Sequence, residues 1–70
     1  KKKSAKAELS DALELVKDGK YSQAKTELEA LIDSEGLTAG DKNKIMHGLG
    51  RIEYYTKNYE QALVYFSKIY

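Results

Sequence analysis

Three features of this sequence could take part in catalysis or in binding a metal or cofactor. They are one histidine, a set of scattered carboxylates and a short glycine-containing stretch. His47 is the only histidine and cysteine is absent, and no acidic residue lies three or four positions from His47, so the usual donor set of a zinc site is missing. Residues 48–50 (Gly-Leu-Gly) open like a dinucleotide-binding fingerprint, but no third glycine follows and no strand precedes them. We interpret His47 as a surface residue and the glycines as points where helices cross.

The carboxylates do not form a catalytic arrangement either. Asp11, Glu14 and Asp18 fall on one polar face of a helix, where they keep that helix solvated. Residues 36–42 lack the spacing of a phosphate-binding loop. Because no nucleophile is paired with a base, the sequence predicts a protein that is not an enzyme, with no cofactor, no metal and no small-molecule substrate.

Length and composition limit the class of protein. Seventy residues form at most one domain, and a chain of this size buries only about 60% of the surface that its unfolded form exposes. Proline is absent, which favours long uninterrupted helices. Residues 1–3 supply three of the twelve basic residues, which leaves nine basic against eleven acidic residues in the remainder. This mildly acidic body follows a lysine tag, which either contacts phosphates or anionic lipid or is a solvated end.

No apolar segment has the length of a membrane span. The longest unbroken apolar run, residues 62–66, has five residues, whereas a spanning helix needs about 20. No apolar region follows residues 1–3 in the manner of a secretion signal. We expect a soluble fragment with no signal peptide and no membrane span, and the residues assign no compartment.

Apolar residues recur at three- and four-residue steps along four segments, which is the signature of amphipathic helices. Ser4 is placed to cap the first helix, and Gly19 to end it in a left-handed conformation. Thr38 and Asp41 resemble a capping box, so the third helix begins at one of them. Residues 63–66 are rich in strand formers, but their apolar spacing favours a helix. The spacing predicts helices at about residues 4–18, 21–34, 40–56 and 59–70.

The chain contains an internal repeat. Residues 18–24 and residues 56–62 match at tyrosine, glutamine and alanine when the two segments are aligned without a gap. Four residues after each alanine stands a large apolar side chain, Leu28 in the first copy and Phe66 in the second. The two copies are offset by 38 residues. A self-match at a period of this size, with two helices per copy, indicates a solenoid of helical hairpins.

The second copy resembles the tetratricopeptide repeat (TPR), whose period is about 34 residues. The tryptophan, leucine, glycine, alanine and phenylalanine positions of the TPR signature hold Met46, Leu49, Gly50, Ala62 and Phe66. Glu53 stands where the family has an aromatic residue, and Glu8 and Asp11 depart from the signature in the first copy. The resemblance covers nearly the whole chain.

The resemblance implies an all-α fold of two stacked antiparallel helical hairpins, a TPR-like superhelix or solenoid fragment. Residues 1–70 would form a single TPR-like domain, with repeat 1 at about residues 4–36 and repeat 2 at about 39–70. The extra residues relative to the family period fall into the loop at residues 35–41. Small residues such as Ala24 and Ala62 would lie where paired helices cross.

In proteins similar to this one, the first helix of each hairpin lines a concave groove that holds a peptide or a partner helix. The resemblance implies that this partner-binding groove consists of Lys6, Leu9, Ser10, Leu13, Lys17, Lys44, His47, Arg51, Tyr54 and Tyr55. The lysine and asparagines with which some family members hold a chaperone's terminal carboxylate are replaced by Leu9, Leu13 and Gly48. We therefore do not expect a heat-shock chaperone tail as the ligand.

Three functions remain after an enzyme is excluded. The first is a protein-binding scaffold whose partner is a protein or peptide, and it rests mostly on the resemblance. The second is a purely structural or oligomerisation segment of a larger solenoid. The third and weakest is nucleic-acid binding through the lysine tag and tyrosines, which would weaken steeply with added salt.

The second hairpin is expected to leave apolar residues uncovered at its end face. The candidate residues are Ile52, Tyr55, Leu63 and Tyr70. Because about three stacked repeats or a capping helix are usually needed for stability, we expect the chain to be a fragment of a longer repeat protein. In isolation it should self-associate through this C-terminal end face, as a symmetric homodimer or by an exchange of hairpins between chains.

Overall fold

The computed structural model describes residues 4–69, which form four α-helices and no strand. The helices are α1 (Ala5–Lys17), α2 (Tyr21–Leu31), α3 (Ala39–Tyr55) and α4 (Tyr59–Ile69). The prediction of an all-α chain with four helices is confirmed. Residues 63–66, which are rich in strand formers, lie inside α4, so the apolar period outweighs the local strand propensity there.

The helices pack as two hairpins joined through α3. Within residues 4–69, α1 packs on α2 and α3 on α4, and three-residue turns connect the members of each pair. The backbone of α3 also lies close to both α1 and α2, whereas the backbone of the described part of α4 lies close to α3 alone. The third helix is therefore the element on which the other three are placed.

Side chains predicted to start two of the helices do so. The Ser4 hydroxyl accepts the backbone N–H of Ala7 at 3.2 Å, which satisfies one free donor of the first turn of α1. Thr38 and Asp41 form a reciprocal capping box with two bonds of 3.1 Å, so α3 begins directly after Thr38. The bond from the Thr38 backbone N–H is the main cause that lowers the pKa of the Asp41 carboxyl.

The predicted end of α2 near residue 34 is wrong, because the helix ends at Leu31. The Ser34 backbone N–H donates to the Leu31 carbonyl at 2.9 Å, and the Ser34 hydroxyl lies 3.5 Å from the Ala30 carbonyl. Local bonds from a serine thus satisfy the last carbonyls in a tighter turn and stop the helix before Gly36.

The internal repeat appears in the backbone hydrogen bonds of the two hairpin turns. The Lys20 N–H donates to the Leu15 carbonyl at 2.9 Å, and at the equivalent place in the second copy the Asn58 N–H donates to the Glu53 carbonyl at 2.7 Å. Both bonds close the six-residue loop that ends a helix in a Schellman motif. The two hairpins therefore turn in the same way.

Each turn contains one residue in the left-handed conformation. In the first turn it is Gly19, with φ of 81°, and in the second it is Lys57, with φ of 70°. A residue with a Cβ is disfavoured in this conformation by roughly 1 kcal/mol, whereas glycine is not. The second turn therefore stores strain that the first turn avoids.

Replacing Lys57 by glycine should raise the free energy of unfolding by about 0.5–1 kcal/mol, since the strain is removed and no packed side chain is lost. The measurement is a thermal melt followed by circular dichroism. Lys20→Gly is the matched control, because Lys20 has a negative φ and glycine there only adds freedom to the unfolded chain. An equal or lower melting temperature for Lys57→Gly would contradict the strain.

The core lies between α1, α2 and α3. Its largest fully buried side chains are Leu28, Ile45, Leu49 and Ile52. Around them the buried cluster is completed by Leu9, Ala12, Val16, Ala24 and Leu31. Helices α1, α2 and α3 bury most of the apolar stripe that the helical period predicts, whereas α4 buries Ala62 and leaves Tyr59 and Leu63 exposed.

The α3–α4 crossing depends on the absence of a side chain at Gly50. A Cβ added at Gly50 would lie 2.6 Å from Cε1 of the Phe66 ring, which is closer than real Cβ atoms approach other atoms. In the register of the internal repeat, the equivalent positions of the first hairpin hold Ala12 and Leu28, both with no exposed surface. A smaller residue on one helix is thus matched by a larger one on its partner.

Gly50→Ala should lower the melting temperature, because overpacking costs about 1–3 kcal/mol while the gain in helix propensity is at most about 1 kcal/mol. Adding Phe66→Leu recreates the alanine–leucine combination of the first hairpin and should recover most of the loss. A double-mutant cycle that includes Phe66→Leu alone measures this coupling. Strictly additive effects would show that the two positions are not in contact.

Candidate functional site

An open cleft of about 570 Å³ runs between α1 and α3. We call it the α1–α3 cleft, and its lining residues are Leu13, Val16, Lys17, Asn43, Lys44, His47, Gly48, Arg51 and Ile69. Three of these residues come from α1, five from α3, and Ile69 from the end of α4. The cleft therefore follows one side of α3 with α1 as its opposite wall.

Helical spacing and one glycine give the cleft its form. Lys44, His47 and Arg51 lie three and four residues apart, so they occupy one face of α3. A Cβ added at Gly48 would lie 3.1 Å from a Leu28 methyl and 3.3 Å from a Leu13 methyl. This close approach places α1 directly beside α3 and leaves a shallow floor between the charged side chains.

The cleft combines an apolar floor with a basic rim. Leu13, Val16 and Ile69 supply aliphatic surface, while Lys17, Lys44 and Arg51 carry positive charge. No acidic side chain lines the cleft, and within residues 4–69 none forms a salt bridge with these three cations. An arrangement of this kind attracts a ligand that is apolar and negatively charged at once.

One rim cation is oriented by a tyrosine. The Arg51 Nη2 donates to the Tyr55 hydroxyl at 3.4 Å, and the guanidinium carbon lies 5.8 Å from the centre of the Tyr55 ring. Tyr55 in turn stacks on Tyr21 with ring centres 5.4 Å apart. Tyr54 and Tyr59 extend this tyrosine cluster through edge contacts at 5.9 and 5.4 Å. The cluster holds Arg51 at the rim near the hairpin turns.

Five of the residues predicted for the groove line the cleft. They are Leu13, Lys17, Lys44, His47 and Arg51. Sequence reasoning missed Val16, Asn43, Gly48 and Ile69. Asn43 lies four residues before His47 on the same helical face, so the helical period could have indicated it. Ile69 belongs to the second helix of its hairpin, and a prediction based on first helices alone does not include it.

The remaining predicted groove residues lie elsewhere. Leu9 is 3% exposed and belongs to the core, so its assignment to the groove is wrong. Leu9 lies one turn before Leu13 on the same face of α1, but at that turn the face is covered by the core cluster. Lys6 and Ser10 are exposed on α1 outside the cleft, and Tyr54 is exposed in the tyrosine cluster.

The structure also changes which residues belong to the predicted end face. Ile52 is 2% exposed and fills the core, so it cannot belong to an uncovered surface. Leu63 is 67% exposed, and Tyr55 is half exposed within the tyrosine cluster. Tyr70 lies outside the described residues. The uncovered apolar side chains of α4 are Tyr59, Leu63 and Val64, which we call the α4 apolar face.

A second depression, of about 620 Å³, lies between α2 and the first turns of α4, with Glu53 of α3 also in its lining. The Lys25 ammonium forms a 3.2 Å ion pair there with the buried carboxylate of Glu53. This hydrogen bond, followed by the attraction of the Glu53 charge, raises the pKa of Lys25. Glu29, Glu60 and Lys57 also line the depression, so charges of both signs lie side by side there. The α1–α3 cleft carries charge of one sign only, which makes it the better candidate site.

Groups that would hold a metal ion do not converge in the described part of the chain. Within residues 4–69, no three His, Cys, Asp or Glu side chains come together in a suitable cluster. No helix among these residues is long and apolar enough to cross a membrane.

No protein-family model, curated protein or solved structure shows significant similarity to the chain.

Proposed function

We propose that this chain is a non-catalytic protein-interaction module, a TPR-like scaffold whose α1–α3 cleft holds a peptide or helix of a partner protein. The observation that supports it most directly is an apolar floor beside three cations with which no acidic side chain in residues 4–69 forms a salt bridge. Arginine and aromatic residues are enriched where interfaces concentrate their binding energy. Arg51 with its supporting Tyr55 provides this combination at the rim.

The TPR-like part of the proposal is supported by the repeated turns. The bonds that close the two hairpins recur at equivalent places in the two copies, and so does the left-handed residue of each turn. Repeat 1 then corresponds to about residues 4–36 and repeat 2 to about 39–70. The cleft lies between α1 and α3, which are the first helices of the two hairpins.

Peptide display on the immobilised chain should select binders whose affinity depends on the cleft. His47→Ala combined with Arg51→Ala should weaken these binders by about tenfold or more, since both residues are exposed at the cleft and truncating a central arginine commonly costs over 1 kcal/mol. Affinity is measured by calorimetry, and circular dichroism verifies that helicity is unchanged.

Gln23→Ala combined with Glu29→Ala is the matched control, because both residues are exposed on α2 and lie outside the cleft. This pair should leave affinity unchanged. An equal loss from it would place binding on the α2 side of the module. Failure to select any peptide would favour the alternative function, a structural segment of a larger solenoid.

The α4 apolar face supports a second proposed interaction, with another copy of the chain. Tyr59 and Leu63 are one helical turn apart, and Val64 adjoins them, all at least 45% exposed. A large apolar side chain left in water forfeits about 1.5–3 kcal/mol relative to burial. One symmetric contact between two copies would bury the α4 apolar face of both copies.

Light scattering across a concentration series should therefore detect dimers, and Leu63→Lys should return the chain to a monomer without loss of helicity. Gln61→Lys is the control, because it adds the same charge at an exposed position of α4 that is not part of the apolar face. A strictly monomeric unmodified chain at high concentration would refute the self-association.

A further inference from the structure

We infer that the partner segment held by the α1–α3 cleft is an acidic amphipathic helix, with an apolar stripe on Leu13, Val16 and Ile69 and carboxylates on Lys17, Lys44 and Arg51. This inference rests on the proposed function and specifies the chemistry of its ligand. It is drawn from the charge, spacing and floor of the cleft.

The charge of the cleft indicates an acidic ligand. Lys17, Lys44 and Arg51 have no salt-bridge partner among residues 4–69. The acidic residue nearest to Lys44 along α3 is Asp41, whose carboxylate is hydrogen-bonded to the backbone N–H of Thr38. The one nearest to Arg51 is Glu53, whose carboxylate is paired with Lys25. Arg51 contacts a neutral tyrosine hydroxyl, which uses one of its five N–H donors. Carboxylates of a ligand would therefore meet cations whose donors remain available.

The spacing of the cations indicates a helix. Lys44 and Arg51 are seven residues apart on α3, which corresponds to about 10 Å along the helix. An extended peptide spans this distance in about three residues, and side chains three apart on a strand point to opposite faces. On a helix, residues seven apart share one face. Two glutamates at that spacing reach both cations at once, and the apolar residues between them lie over the floor.

A protein ligand fits the cleft better than a nucleic acid. Phosphate backbones bind through an extended field of basic residues, whereas the chain beyond residues 1–3 has more acidic than basic residues. The basic rim is confined to three cations around aliphatic side chains. Apolar contact beside a few charge pairs is the pattern of helix-in-groove recognition.

The test uses three synthetic helical peptides and the full chain. All three carry leucines three and four residues apart, and at two flanking positions seven residues apart they carry glutamate, glutamine or lysine. Fluorescence anisotropy of the labelled peptides should show the glutamate peptide binding about tenfold more tightly than the glutamine peptide. Added salt should reduce this difference, because the rim charges are exposed to solvent.

Lys44→Glu combined with Arg51→Glu should invert the preference, so that the lysine peptide binds more tightly than the glutamate peptide. Lys20→Glu combined with Lys42→Glu is the matched control, since it changes the net charge equally at exposed positions outside the cleft. The control pair should keep the preference for glutamate.

Each other outcome overturns a distinct statement. Equal binding of the glutamate and glutamine peptides, still lost on His47→Ala with Arg51→Ala, would refute the acidic ligand but keep the proposed function. Displacement of the glutamate peptide by a single-stranded oligothymidylate, with a steep dependence on salt, would assign the cleft to nucleic acid instead. If none of the three peptides binds and peptide display also selects none, the proposed function fails together with this inference.

Discussion

Close contact on two opposite sides of α3 is the constraint on which the rest of the structure depends. Gly48 admits the methyl groups of Leu13 and Leu28 on one side, and Gly50 admits the ring of Phe66 on the other. Positions two residues apart on a helix point in nearly opposite directions. Residues 48–50 therefore determine how closely the first hairpin approaches α3 on one side and how closely α4 approaches it on the other. Dispersion contacts at such a distance are individually small, but they are made along whole helices and are lost together if the helices separate.

The same helix also separates a structural charge pair from the charges of the cleft. The buried carboxylate of Glu53 is paired with Lys25 of α2. A buried carboxylate is tolerated because the lysine supplies both charge and hydrogen bond. Lys44 and Arg51, on a different face of α3, have no such partner within residues 4–69. Charge on the first face therefore serves the fold, and charge on the second is available to a ligand.

Local features of the fold could be predicted from the sequence, whereas features set by helix geometry could not. Ser4, and Thr38 with Asp41, begin helices through bonds that span three residues, so their roles are visible in the sequence. Five of the residues that the resemblance assigned to a groove line the α1–α3 cleft. Leu9 and Ile52 were misplaced because a period locates an apolar face without showing which edge of it a neighbouring helix covers. That coverage depends on crossing angles, which the residue types alone do not specify.

The cleft and the core share few side chains, so most residues of the cleft can be changed without altering the core. The cations of the rim are exposed and contribute little packing, so substitutions there change the charge presented to a ligand at a small cost to stability. Leu13 and Val16 belong to both surfaces, since they pack against the core and also form the floor. Volume changes at these two positions would disturb a core that has little stability to spare. The specificity of the proposed interaction would therefore be altered most easily through the charge pattern of the rim, while the apolar floor stays fixed by the requirements of folding.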